Sequence, residues 1–128
     1  MMGLHHKLCH TLGGSFGLPH AETHAVLLPH ALAYNLPFAP DAHRTLIGVF
    51  REPDPARALW EFAHRLHLPR ALCELDMPET ALDSAADFAV RNPYPNPRPL
   101  ERGAIRGLLA RAWAGSSPLT QSTGFENA

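Results

Sequence analysis

Apolar side chains recur along this chain at three- and four-residue intervals, and prolines and glycines cut the recurrence into segments. Leu4, Leu8, Cys9 and Leu12 fall on one helical face, and Gly13-Gly14 is expected to end that first helix. After Gly17-Leu18-Pro19, the stretch from Ala21 to Tyr34 is apolar on several sides (Ala25, Val26, Leu27, Leu28, Ala31, Leu32), the pattern of a buried central helix. Pro29 inside it removes a backbone donor and predicts a kink or a restart near His30. Asn35 to Pro40 reads as a linker. Asp41 is placed to cap a short helix running to about Phe50, and Asp54-Pro55 pairs a capping acid with proline at the first helical position. Leu59, Phe62, Ala63 and Leu66 then follow at i, i+3, i+4 and i+7. Leu82, Ala85, Ala86 and Ala89 repeat that spacing in a helix starting near Pro78. A last helix runs from near Pro99 to Trp113 with Leu100, Ala104, Ile105, Leu108 and Ala112 inward. No segment alternates with the period of a strand. The pattern predicts an all-α fold of five to seven helices over residues 1–113. Gly115-Ser116-Ser117-Pro118 then opens a polar, flexible tail over 114–128.

Composition narrows the class without naming a chemistry. At 128 residues the chain has room for one domain. With 45% hydrophobic and 18% charged residues it can pack a core. A net charge of -1 gives no global attraction to nucleic acid or to an anionic membrane. No apolar run approaches the roughly 20 residues that cross a bilayer. Met1-Met2-Gly3-Leu4 has neither the basic flank nor the apolar stretch of a secretory signal. Cys9 and Cys73 stand far apart without a disulfide or zinc-knuckle pattern, and read as the reduced thiols of a cytoplasmic protein.

The candidate chemistry lies in the histidines. Six of the nine, His5, His6, His10, His20, His24 and His30, fall within the first thirty residues. His6 and His10 are spaced i, i+4, which puts them on one helical face about 6 Å apart along the axis. Such a pair can share a metal, or divide metal binding and proton relay between them. His20 opens the next helix, where a helix–turn–helix path returns it beside His6 and His10, and His24 follows one turn later. Two or three histidines do not complete a catalytic metal site, which takes three or more protein ligands and an open position. The nearest carboxylate is Glu22. Cys9, on an apolar face, reads as a buried, inert thiol. His43, His64 and His67 read as surface residues, and Trp60 and Trp113 as packing of the core or of a dimer surface. Arg98, Arg102 and Arg106, four apart, read either as a carboxylate clamp or as a solvated basic face. From the residues alone this is a helical domain carrying part of a site.

The run from Gly3 to His24, GLHHKLCHTLGGSFGLPHAETH, resembles the second half of iron-containing alcohol dehydrogenases and, more narrowly, the maleylacetate reductases. The likeness continues through Leu28 to Asn35 and returns at Asn92 to Pro99, NPYPNPRP, so it covers roughly Gly3 to Gly115. It implies one part of a two-domain oxidoreductase. An α/β domain binds NADH or NADPH, and this helical domain carries the metal and substrate side of the cleft. It implies His6 and His20 as ligands of Fe or Zn, completed by an upstream Asp and His without counterparts here, and His10 as the neighbouring proton-relay histidine. In the complete reductase, hydride from the nicotinamide reduces the carbon–carbon double bond of maleylacetate and gives 3-oxoadipate. The candidate catalytic residues are then His10 as proton donor or polariser, His20 as substrate or metal contact, and Tyr94 as a phenolic donor. His5 and His24 stand behind these or on the surface. The resemblance implies a small dicarboxylate substrate, a second copy or a nucleotide-binding domain as partner, and no activity from the 128 residues alone. Two other readings stay open. One is an alcohol dehydrogenase of the same superfamily using Fe or Zn. The other is a non-catalytic helical module that binds a partner through uncovered apolar faces.

Overall fold

The computed structural model describes residues 3–91 and 94–118. Among them the chain forms six α-helices: α1 (Leu4–Phe16), α2 (His20–Asn35), α3 (Pro40–Phe50), α4 (Pro55–Arg65), α5 (Leu82–Ala89) and α6 (Arg102–Ala114). Three short 3-10 turns stand at Leu36–Phe38, Leu72–Leu75 and Glu79–Ala81, and the described residues contain no strand. The all-α expectation holds. Among the described residues no helix is long and apolar enough to cross a membrane.

The apolar spacing accounts for the core. Leu4, Leu8 and Leu12 of α1, Val26 and Leu27 of α2, and Ile105, Leu108 and Leu109 of α6 are buried together with Leu72, Met77 and Leu82. Each fully buried leucine contributes about 1.5–3 kcal/mol relative to exposure. Ala85, Ala86 and Ala89 keep the inner face of α5 small, and α5 packs between α1 and α6. Pairing of α1 with α2 is the most extensive helix–helix contact alongside that of α5 with α6, and it creates the seam on which the histidines lie.

Several helix ends differ from expectation, each because tertiary contacts override a local signal. Gly13-Gly14 does not end α1, which runs through both glycines to Phe16. Two helical glycines cost about 1 kcal/mol each, and packing of the buried Leu8 and Leu12 outweighs that cost. The stop comes at Gly17, whose φ of +69° is a left-handed conformation that glycine adopts without strain. Helix α2 runs unbroken from His20 to Asn35 with Pro29 inside it, so there is no restart at His30. Asp41 does not cap α3. The helix begins at Pro40 after Ala39, and Asp41 pairs with Arg44 in the first turn. Asp54 does cap α4, accepting from the Arg57 amide at 3.2 Å. Near Pro78 a 3-10 turn precedes α5. The expected inward face of α4 is only half realised: Ala63 is buried, but Phe62 is 44% and Leu66 54% exposed.

The proline-rich segment before α6 is a staple. Asn96 and Asn35 exchange side-chain amide bonds at 2.8 and 3.1 Å. The same Asn96 Oδ1 accepts the Leu4 amide at 2.9 Å, supplying the cap that α1 lacks in its own sequence. A β-carbon on Gly3 would lie 2.8 Å from that oxygen, so only glycine allows this approach. Tyr34 Oη donates to the Pro99 carbonyl at 2.6 Å and accepts the Glu101 amide at 3.1 Å. These bonds hold Pro99 to Glu101 outside the helix, which is why α6 begins at Arg102. Arg98 lies 4.1 Å over the Tyr34 ring and precedes α6, while Arg102 and Arg106 pair with Asp83 and Asp87. Arg102 and Arg106 thus stand on a solvated face with acidic partners, as one of the two readings expects, and Arg98 lies apart from them on Tyr34. Trp113 packs against the core and donates to the Met77 carbonyl at 2.7 Å. Asn92 and Pro93 of the staple motif, and residues 119–128 of the expected tail, lie outside the described residues.

Candidate functional site

A rotation of about 100° per residue sends the paired histidines of α1 in different directions. His6 and His10 stay exposed, with ring centroids 5.6 Å apart, while His5 and Cys9 turn toward α2. His6, His10 and Gly14, one turn apart, form a ridge bordering two clefts. The larger, of about 710 Å³, is completed by Lys7, Thr11 and Ser15 of α1, Phe88 of α5, Arg91 and Tyr94. The smaller, of about 330 Å³, is completed by Cys9, Gly13, Leu18, His20 and His24.

In the larger cleft the cationic groups are Lys7, whose Nζ lies 5.8 Å from the Tyr94 ring centroid, and Arg91, stacked 4.5 Å over Phe88. No Asp or Glu is among its lining residues. Tyr94 lines this cleft but donates its hydroxyl to the Ala89 carbonyl at 2.7 Å, closing the end of α5. Burial pushes its phenol up to about 12, so the proton stays on across the neutral range. Lys7 and Arg91 escaped the sequence reading. Lys7 sits within the histidine motif, and Arg91 follows the last turn of α5, but only the fold brings them to one cleft.

From the smaller cleft inward, three imidazoles form a row. His20 is the first residue of α2, its ring 4.2 Å from that of His24, which meets His5 edge-on at 4.9 Å. His5 Nε2 lies 3.3 Å from the His24 carbonyl and 3.5 Å from Cys9 Sγ. Burial lowers the His5 pKa, partly offset by the contact with the His24 backbone. Burial also lowers that of His24, followed by the charges of His20 and His6. Cys9 is 3% exposed, and burial pushes its thiol up to about 12, so without a bound cation it stays protonated near neutrality.

The structure thus brings His6, His10 and Tyr94 to one cleft and His6, His10 and His20 to the other. His20 and Tyr94 share neither. For the expected Fe or Zn, His6 and His20 offer two imidazoles to one cleft, and among the described residues no third donor groups with them. Two nitrogens are half of a tetrahedral set. The His6–His20 pair by itself therefore does not complete the coordination of the ion.

Residues 1–113 match the family model described as Fe-containing alcohol dehydrogenase family, C-terminal. The maleylacetate reductase of Burkholderia cepacia is 56% identical over 117 residues, covering 91% of this chain and 33% of that protein. The crystal structure of maleylacetate reductase from Agrobacterium tumefaciens superposes with a TM-score of 0.87 at 50% identity, covering 92% of this chain and 33% of that one. An iron-containing alcohol dehydrogenase from Corynebacterium glutamicum superposes with a TM-score of 0.79 at 38% identity, covering 87% and 32%. The chain spans about a third of the length of the relatives it matches. It belongs to the Fe-containing alcohol dehydrogenase family, an oxidoreductase family, and is its all-helical C-terminal part.

Proposed function

We propose that this chain is the substrate-side domain of a maleylacetate reductase, which acts with a nicotinamide-binding domain to convert maleylacetate to 3-oxoadipate. The observation that carries this reading is the cation-bearing cleft beside the His6–His10 ridge, free of acidic lining and suited to a small dianion. Lys7 and Arg91 pair with the two carboxylates, each charge-assisted bond contributing about 1.5–3 kcal/mol. NADH or NADPH, bound outside this chain, supplies the hydride. As hydride reaches the alkene carbon β to the ketone, electron density collects on the ketone oxygen as an enolate. Cationic donors at the cleft stabilise that charge. A proton delivered to the α carbon completes the product, and His10, shared by both clefts, is the group placed to deliver it. Tyr94 donates to substrate only by releasing the Ala89 carbonyl, and otherwise holds the cleft wall.

His20 contacts substrate from the smaller cleft or, with His6, serves a metal whose other ligands lie elsewhere. Cationic lining favours a dicarboxylate over the neutral alcohol of the alternative reading. In this reading the protein is cytoplasmic, the 128 residues alone are inactive, and the partner is a nucleotide-binding domain or a second copy. The exposed Phe38, Val49, Phe62 and Leu66 give such a partner an apolar surface to cover. The domain of residues 1–113 extends one residue further, to the end of α6 at Ala114, and the tail follows it.

Nuclear magnetic resonance of the isolated chain tests the substrate class. Titration with 3-oxoadipate is expected to shift resonances of Lys7, His10 and Tyr94. Lys7→Met is expected to weaken binding about tenfold, the equivalent of about 1.4 kcal/mol. Shifts confined to α3 and α4, or equal binding of a monocarboxylate, would contradict the assignment.

A further inference from the structure

We infer that His5, Cys9 and His24 form a binding site for a thiophilic d10 cation such as Zn(II), separate from the His6–His20 pair. His5 and Cys9 stand one turn apart on α1, and His24 faces them from α2. One ligand atom from each lies within 4.8 Å of the others. A tetrahedral zinc with bonds of about 2.0–2.1 Å to nitrogen and about 2.3 Å to sulfur sets nitrogen–sulfur edges of about 3.5 Å. His5 Nε2 and Cys9 Sγ already stand 3.5 Å apart, so only the His24 ring must swing inward to close the set. Two imidazoles and a thiolate, with no carboxylate among them, select soft and borderline ions over Mg(II) or Ca(II).

Cys9 and His24 both line the smaller cleft, which leaves the fourth coordination position facing solvent there. As the sulfur–metal bond forms, the Cys9 thiol proton passes to solvent. His5 Nε2 exchanges its contact with the His24 carbonyl for the metal, and nothing is oxidised or reduced. Because the His24 ring rests 4.2 Å from that of His20, closing the site draws it off His20. Occupancy therefore reshapes the smaller cleft.

Cobalt(II), a spectroscopic substitute for zinc, tests this on the 128-residue chain in a thiol-free reducing buffer. The expected result is a near-ultraviolet thiolate-to-cobalt charge-transfer band that saturates at one equivalent and is abolished by Zn(II). Cys9→Ser is expected to lose the band. His5→Gln and His24→Gln are expected to weaken binding by more than about tenfold, since even groups behind a ligand are worth that much. Cys73→Ser and the double variant His6→Gln, His20→Gln are expected to keep it. Far-ultraviolet circular dichroism checks that each variant stays helical, and the His24 variant carries the test should Cys9→Ser unfold. No charge-transfer band in the parent chain, a band lost with Cys73, or a band dependent on His6 and His20 would overturn the assignment.

Discussion

Lowering the pH from about 6.5 to about 4 is expected to remove about 3 kcal/mol of folding stability through His30 alone. His30 lies in the middle of α2, 1% exposed, and among the described residues neither ring nitrogen has a hydrogen-bond partner. Burial, and after it the positive charge of Arg111, hold its pKa down to about 4. An imidazole in the unfolded chain takes its proton near pH 6.5, so between those values only the unfolded state is protonated. The stabilising effect is complete above about 6.5 and falls by about 1.4 kcal/mol for each pH unit down to about 4. Domains of this size have about 5–15 kcal/mol in total, so one side chain removes a sizeable share of it in acid. His5 and His24, also held low, act in the same direction. Urea unfolding of the parent and of His30→Leu across this range measures the effect. Parent stability should fall steeply and the variant's much less; parallel curves would show that His30 takes up its proton at the same pH folded and unfolded, against a depressed pKa.

The second large effect concerns the reaction. In an assembled reductase carrying these helices, His10→Gln is expected to lower kcat by about 100- to 10,000-fold, the usual contribution of a positioned general acid. KM should change only a few-fold, because His10 borders the cleft while Lys7 and Arg91 hold the charges. Lys7→Met should show the opposite split, raising KM more than it lowers kcat. Steady-state kinetics of the two variants side by side separates the roles. A loss smaller than tenfold in kcat on removing His10 would move the proton donor to Tyr94 or to the partner domain.

How much of this was legible in the sequence depends on whether the cause is local. Helix existence and the buried leucines follow from three- and four-residue spacing, and the His6–His10 ridge from the same geometry. Helix ends depart from the local pattern where a distant contact decides them. Leu8 and Leu12 carry α1 through two glycines, and Tyr34 holds Pro99 and Glu101 out of α6. The same holds for the site. Arg91 reaches the cleft only because α5 packs on α1, and no spacing rule links it to Lys7. His5 and Cys9 did have a legible i, i+4 spacing, yet their meeting with His24 depends on the α1–α2 seam. NPYPNPRP was legible as a motif, but its Asn96 is a staple between α1 and α2, and its Tyr94 is tied to α5.

The most direct measurement replaces the C-terminal third of the Burkholderia cepacia maleylacetate reductase with residues 3–115 of this chain. The purified hybrid is then followed for NADH and NADPH oxidation with maleylacetate. Saturable oxidation dependent on maleylacetate, with 3-oxoadipate as product, is the expected result. A folded, nucleotide-binding hybrid that ignores maleylacetate but oxidises simple alcohols would contradict the proposed reaction.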